Sequence, residues 1–91
     1  MKYLVAMTRG DDHHAYGTAV PDLFGCFSAG DTFEEAIANT TEAIELQIES
    51  LLDAGDVPSE PKPAHEWLAD PAFSGWIWAV VTANEKARPL G

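Results

Sequence analysis

Residues 21–52 read PDLFGCFSAGDTFEEAIANTTEAIELQIESLL and decide the fold. They combine a tight turn, a short apolar strand, a helix cap and one long amphipathic helix. Thr32 and Glu35 have the Ser/Thr-x-x-Glu spacing of a capping box, and Asp31 with Glu34 offers an alternative N-cap.

One side of the predicted helix is apolar and the opposite side is acidic. At 100° per residue, the residues on the apolar side are Phe33, Ala36, Ile37, Thr40, Ala43, Ile44, Ile48, Leu51 and Leu52. Those on the acidic side are Glu34, Glu35, Glu42, Glu45, Glu49 and Asp53. Leu46 breaks the pattern because it projects from the polar side. Gly55, just past the last periodic residue, suits a C-terminal cap.

Four apolar segments around this helix predict strands at residues 1–8, 15–20, 24–29 and 76–81. The order is β-β-β-α-β, and a strand that follows a helical crossover usually runs parallel to a neighbour. We therefore expect an α+β fold, with a small mixed sheet and one long helix packed on one face. The other face is expected to stay open, with Trp76, Trp78, Tyr3 or Tyr16 contributing to it. A half-covered apolar sheet favours dimerisation.

The length of 91 residues predicts a single domain. We place it at residues 1–83, with a proline-rich connector and a possible short helix at 56–74, and a C-terminal tail at 84–91. No apolar run reaches the roughly 20 residues that cross a bilayer. The N-terminus lacks the features of a signal peptide. These observations predict a cytoplasmic protein.

Charge is the most informative part of the composition. Fifteen acidic and five basic residues give a formal net charge of −10. Such a surface repels phosphate backbones, so we expect no direct nucleic-acid binding, and it suits a basic partner. The alternative is that the acids only keep a small domain soluble.

The residue types that usually carry catalysis give no convincing site. His13 and His14 are adjacent, which on a strand would point them to opposite faces, so exposed turn residues are the better interpretation than a metal site. Cys26 has no basic neighbour to lower its pKa, and we expect a buried small hydrophobe. We predict no enzyme activity, no metal and no cofactor.

The acidic side of the helix has two interpretations, a solvated face or a binding surface. The helix contains no Lys or Arg, so no intrahelical ion pair supports its carboxylates. Like charges such as Glu42, Glu45 and Glu49 instead cost about 0.2–0.5 kcal/mol per i,i+4 pair. Because the helix keeps these carboxylates despite their mutual repulsion, we favour a binding role for the acidic side.

Several motifs together resemble the HicB antitoxin family. They are MKYLV at the start, Tyr16, the string Pro21-Asp22-Leu23-x-Gly25-Cys26, the string Gly30-Asp31-Thr32-x-Glu34-Glu35-Ala36, and Glu42-Ala43. The resemblance is close over residues 1–60 and looser in the last strand.

The resemblance implies a partial ribonuclease-H-like domain without nuclease activity. Domains of this family bind HicA, a small basic toxin of double-stranded-RNA-binding fold that cleaves mRNA with a histidine, and cover its active site. Many members also carry a C-terminal DNA-binding motif and form dimers or larger oligomers. Only about ten residues follow the last predicted strand here, so we expect no such motif in this sequence.

The sequence thus predicts an antitoxin-like protein that occludes a HicA-type toxin and itself forms a homo-oligomer. The predicted partner-binding residues are Glu34, Glu35, Glu42, Glu45, Leu46 and Glu49. The residues predicted to be architectural are Tyr16, Pro21, Asp22, Gly25, Gly30, Asp31 and Thr32. Two alternatives stay open: a stand-alone HicB-like oligomeric domain without a toxin, and a degenerate metal-dependent nuclease. The nuclease is disfavoured because the first strand, KYLVAMT, lacks the acid that two-metal chemistry needs.

Overall fold

The computed structural model describes residues 2–9, 15–57 and 61–83. Its elements are β1 (Lys2–Met7), β2 (Tyr16–Ala19), β3 (Phe27–Gly30), α1 (Phe33–Asp53), α2 (Ala64–Leu68), a 3-10 turn (Pro71–Phe73) and β4 (Ile77–Thr82). The α+β class and the order of the main elements are as predicted. The histidine pair and the C-terminal tail lie outside the described residues.

The four strands form one sheet in the order β3-β2-β1-β4, and every neighbouring pair is antiparallel. The prediction of a mixed sheet is therefore wrong, since β4 runs antiparallel to β1, with Tyr3 opposite Val81. The physical reason is the length of the connector, residues 54–76. It carries α2 and the 3-10 turn, and it returns the chain to the other end of the sheet before β4 begins.

The core lies between α1 and one face of the sheet. Val5 and Ile44 are fully buried, and Tyr3, Ile48 and Val81 are nearly so. Because strand side chains alternate, residues that share a face with Tyr3 point toward the helix. Tyr3 was expected on the open face and instead belongs to the core.

Tyr16 also lies on the helix side of the sheet, where its ring meets that of Phe33 edge-on at 6.4 Å. The opposite face carries Trp78 and Val80 by strand alternation. Phe73 of the 3-10 turn packs against the Trp78 ring at 5.4 Å. Val80 remains 62% exposed, so the connector covers this face only in part.

Both ends of α1 are capped. The Thr32 hydroxyl accepts a hydrogen bond from the Glu35 backbone N–H at 3.0 Å, so Thr32, not Asp31, is the N-cap. At the other end, Gly55 has a φ of 83° and the Asp56 N–H donates to the Leu51 carbonyl at 2.8 Å. This pattern is a Schellman motif with glycine at its left-handed position, as the sequence predicts.

The apolar side of α1 is shorter than predicted. Phe33 and Leu52, at its two ends, are 40% and 47% exposed. A helix of 21 residues spans about 31 Å, whereas strands of four to six residues span only about 13–20 Å. The ends of α1 therefore extend past the sheet that would bury them.

Gly30 sets the closest approach between β3 and α1. A Cβ at this position would lie 2.8 Å from the Ala36 Cα and 2.7 Å from the Glu35 carbonyl carbon, both rigid helix backbone. We expect Gly30→Ala to lower the free energy of unfolding by about 1–3 kcal/mol, because the helix must move outward. Urea denaturation followed by circular dichroism measures the loss.

The matched control is Gly17→Ala in the neighbouring strand. There the added Cβ meets only the Thr8 hydroxyl, at 3.1 Å. Equal unfolding midpoints for the two variants would contradict the role assigned to Gly30.

Candidate partner-binding surface

The predicted acidic residues lie on the outer side of α1, which we call the acidic face: Glu34, Glu35, Glu42, Glu45 and Glu49. Glu34, Glu35 and Glu42 are exposed, and Glu45 and Glu49 are half-buried. Leu46 lies among them and is 58% exposed, so its projection from the polar side is confirmed. The face therefore combines several carboxylates with one accessible apolar side chain.

The helix dipole interacts favourably with only some of the carboxylates on the acidic face. Glu34 and Glu35 occupy the first turn, where carboxylates interact favourably with the helix dipole. Glu42, Glu45 and Glu49 lie in the middle and C-terminal half, where the dipole gives carboxylates no such benefit, and the last turn holds no basic residue. The helix dipole therefore favours Glu34 and Glu35 and does not favour the other three glutamates.

A buried pair of hydroxyls fixes the rotation of α1 on the sheet. The oxygens of Thr18 and Thr40 are 2.7 Å apart, and the Thr40 hydroxyl donates to the Ala36 carbonyl at 2.6 Å. Since a hydroxyl has one proton, Thr18 donates to Thr40. Both side chains are buried, so rotating the helix would leave polar atoms without partners.

Two exposed amides hold the side of α1 nearest β3. The Asn39 side chain donates to the Ala29 carbonyl at 2.9 Å, and the Gln47 side chain donates to the Phe24 carbonyl at 3.0 Å. Together with the threonine pair, these bonds place Glu42 and Glu49 on the side directed away from the sheet.

The turn between β2 and β3 spans residues 20–26 and is held by three backbone hydrogen bonds. The Leu23 N–H donates to the Val20 carbonyl, the Cys26 N–H to the Leu23 carbonyl, and the Val20 N–H to the Cys26 carbonyl, at 3.0–3.1 Å. Gly25 adopts a φ of 74°. The predicted third strand at 24–29 therefore starts later, at Phe27, because residues 24–26 belong to the turn.

Asp22 links this turn to the connector. Its Oδ1 accepts hydrogen bonds from the Lys62 backbone N–H at 2.9 Å and from the Trp67 Nε1 at 3.0 Å. Its Oδ2 is buried and has no hydrogen-bond partner among the described residues. The contact joins segments 40 and 45 residues apart, so no local sequence pattern could have revealed it.

An apolar cavity of about 320 Å³ opens beside the same turn, which we call the turn cavity. The turn forms one wall, including Pro21, Leu23 and Phe24, and Phe73 and Trp76 of the connector form the other. The rings of Phe73 and Trp76 meet edge-on at 5.3 Å. Sequence reasoning missed this cavity because its two walls are about 50 residues apart in the chain.

Among the described residues, no catalytic group or metal site is assembled around Cys26. Cys26 is buried, as predicted, and burial raises the pKa of its thiol, which disfavours the nucleophilic thiolate. Among the described residues, no group of three His, Cys, Asp or Glu side chains could hold a metal ion. Within the same ranges, no helix has the length and hydropathy needed to span a membrane.

The chain was compared with families, curated proteins and solved structures that are already known. The family model for the HicB-like antitoxin of bacterial toxin–antitoxin systems matches residues 3–88. A 14.9 kDa protein from the rep-hol intergenic region of Haemophilus phage HP1 is 36% identical over 84 residues, which cover 92% of this chain. A UPF0150 protein of Synechocystis is 49% identical over 59 residues, or 65% of this chain. The matches span 62% and 66% of the two relatives' lengths.

Solved structures show the same fold. The N-terminal domain of the Burkholderia pseudomallei antitoxin HicB matches with a TM-score of 0.78 and 33% identity, over 92% of this chain and 99% of that one. A chain of the HicA3 and HicB3 toxin–antitoxin complex matches with a TM-score of 0.75 and 32% identity, with the same coverage of both chains.

Asp22 offers a direct test of how the connector is held. We expect Asp22→Ala to lower the free energy of unfolding by about 2 kcal/mol, because two donors lose a charged acceptor. The fluorescence of Trp67 should shift to longer wavelength, and cleavage by protease within residues 61–70 should become faster. Asp22→Asn keeps an acceptor oxygen and should lose less.

The control is Asp31→Ala, which removes an exposed carboxylate that does not cap α1. If Asp31→Ala and Asp22→Ala gave the same fluorescence and protease pattern, Asp22 would not be what holds the connector.

Proposed function

Because the chain belongs to the HicB-like antitoxin family of bacterial toxin–antitoxin systems, we propose that it neutralises a basic HicA-type toxin. In this proposal the acidic face covers the toxin's RNA-binding and catalytic surface. The observation that supports it is the exposure of Glu42 and Leu46 on a helix without any Lys or Arg, with Glu45 and Glu49 half-buried. The likeness to a chain of a toxin–antitoxin complex supports the kind of partner.

The mechanism is competition for positive charge. Lysine and arginine side chains that hold RNA phosphates would instead meet carboxylates of the acidic face, so RNA and antitoxin cannot occupy the surface together. Complementary charge also accelerates encounter between the two proteins, and salt weakens this effect. The chain acts by binding, in the cytoplasm where mRNA is translated, without cleaving RNA or binding nucleic acid itself.

Leu46 supplies the apolar part of the proposed contact. Binding energy in protein interfaces concentrates in apolar or aromatic anchors, and the surrounding charged rim contributes mainly orientation and rate. An exposed leucine one helical turn from both Glu42 and Glu49 has this arrangement. We therefore assign affinity chiefly to Leu46 and selectivity for a basic partner to the glutamates.

A second candidate is a stand-alone HicB-like domain that self-associates and has no toxin. The specific observation in its favour is apolar exposure away from the acidic face: Phe24 and Phe27 are 99% and 71% exposed. The genomic neighbourhood distinguishes the two candidates. An adjacent reading frame that encodes a small basic protein favours the first.

The toxin proposal is tested by charge reversal with a matched control. We expect Glu42→Lys combined with Glu49→Lys to weaken binding of the adjacent basic protein by about tenfold or more, measured by calorimetry at low salt. The same variant should fail to block RNA cleavage by that protein. The control is Asp56→Lys combined with Glu66→Lys, which raises the net charge equally at exposed positions off the face.

Equal losses of affinity in the two charge variants would show that total charge, and not the acidic face, governs binding. No binding of the wild-type chain to the neighbouring basic protein would reject the toxin proposal itself.

A further inference from the structure

The part of the connector that leads into β4 lies on the domain without entering its core. This part, residues 61–76, which we call the strap, contains α2 and the 3-10 turn and has no buried residue. Hydrogen bonds within the strap hold its shape: the Asp70 N–H donates to the Trp67 carbonyl at 3.0 Å, and the Trp76 N–H donates to the Phe73 carbonyl at 3.1 Å. The strap therefore has local structure of its own and little buried surface, which are the features of a segment that opens locally.

A single carboxylate oxygen ties the first half of the strap to the domain. Asp22 Oδ1 accepts both the Lys62 backbone N–H and the Trp67 Nε1–H. The Lys62 ammonium lies 4.9 Å from the centre of the Trp67 ring, and this cation–π contact keeps the two donors side by side. Because both donors depend on one oxygen, the two hydrogen bonds are expected to form and break together.

The other oxygen of the same carboxylate lowers the cost of opening. Asp22 Oδ2 is buried and has no hydrogen-bond partner among the described residues. A carboxylate oxygen that is buried without a partner costs free energy, and this cost is recovered when water reaches it. The open state is therefore closer in free energy to the closed state than two hydrogen bonds to a charged acceptor would suggest.

The second half of the strap covers part of the open face of the sheet. Phe73 packs edge-on against Trp78 of β4, and Phe73 and Trp76 form one wall of the turn cavity. Gly75 lies between them with a φ of 83°, and the space beside its Cα is empty. A glycine in an unpacked, left-handed position tolerates a change of backbone direction, so it suits a hinge just before β4.

We propose that residues 61–76 are a strap that opens and closes as a unit over the sheet, held in the closed state by Asp22. Opening breaks both hydrogen bonds to Oδ1, lets water reach Oδ2 and lifts Phe73 from Trp78, while the helix and the four strands stay folded. The turn cavity then loses one of its walls. The apolar side of the sheet that faces away from α1 is thus covered or uncovered according to the state of one carboxylate.

Hydrogen exchange of the purified full chain, followed by NMR, tests this device. The Lys62 amide and the Trp67 indole N–H should show equal protection, roughly tenfold or more below that of the amides that pair β1 with β4. Low concentrations of urea should speed exchange of the β1–β4 amides and leave these two protons nearly unaffected, because local opening exposes little surface.

Two variants separate opening of the strap from unfolding of the domain. Trp67→Phe keeps an aromatic ring against Phe73 but removes the Nε1 donor, so exchange of the Lys62 amide should become roughly tenfold faster. The matched control is Gly30→Ala, which disturbs the contact between β3 and α1 and leaves both donors to Asp22 in place. It should speed exchange of the β1–β4 amides and leave the Lys62 amide unchanged.

Three results would overturn the proposal. Protection of the Lys62 amide equal to that of the β1–β4 amides would mean that the strap opens only when the whole domain unfolds. Unequal protection of the Lys62 amide and the Trp67 indole would mean that the two bonds do not open together. Equal acceleration of the Lys62 amide by Trp67→Phe and by Gly30→Ala would mean that Asp22 does not control the opening.

Discussion

The contact between α1 and the strands beneath it determines which side chains this chain presents to a partner. Gly30 lets the first turn of the helix approach β3 closely, and the bonded hydroxyls of Thr18 and Thr40 hold it one turn further along. A helix held at two successive turns can adopt only one rotation about its own axis relative to the sheet. Glu42 and Glu49 therefore face away from the sheet for a structural reason as well as for their own hydration.

Local sequence signals made α1 predictable. The direction of β4 and the path of the connector depend on contacts between distant residues, so the sequence predicted them less well. The Thr32 cap and the Gly55 motif depend on hydrogen bonds within five residues, so both can be read from the sequence. The direction of β4 depends on how a long connector runs, and Asp22 holds that connector at Trp67, 45 residues away. A general preference for parallel crossovers could not anticipate this contact, and it gave the wrong strand direction.

The same distinction applies to the surface: the sequence predicted the acidic face of α1 and did not predict the turn cavity. The 3.6-residue period places the glutamates and Leu46 on one side of α1. The exposure of Leu46, Glu42 and the two glutamates of the first turn agrees with that prediction, whereas Glu45 and Glu49 are half-buried. No periodic sequence pattern predicts the turn cavity, because its two walls come from distant parts of the chain that approach each other only in the folded domain. Phe24 even has the appearance of a strand residue in the sequence. In the structure, Gly25 has a positive φ and the chain turns at this point, so Phe24 lies in the turn and its ring is exposed to solvent.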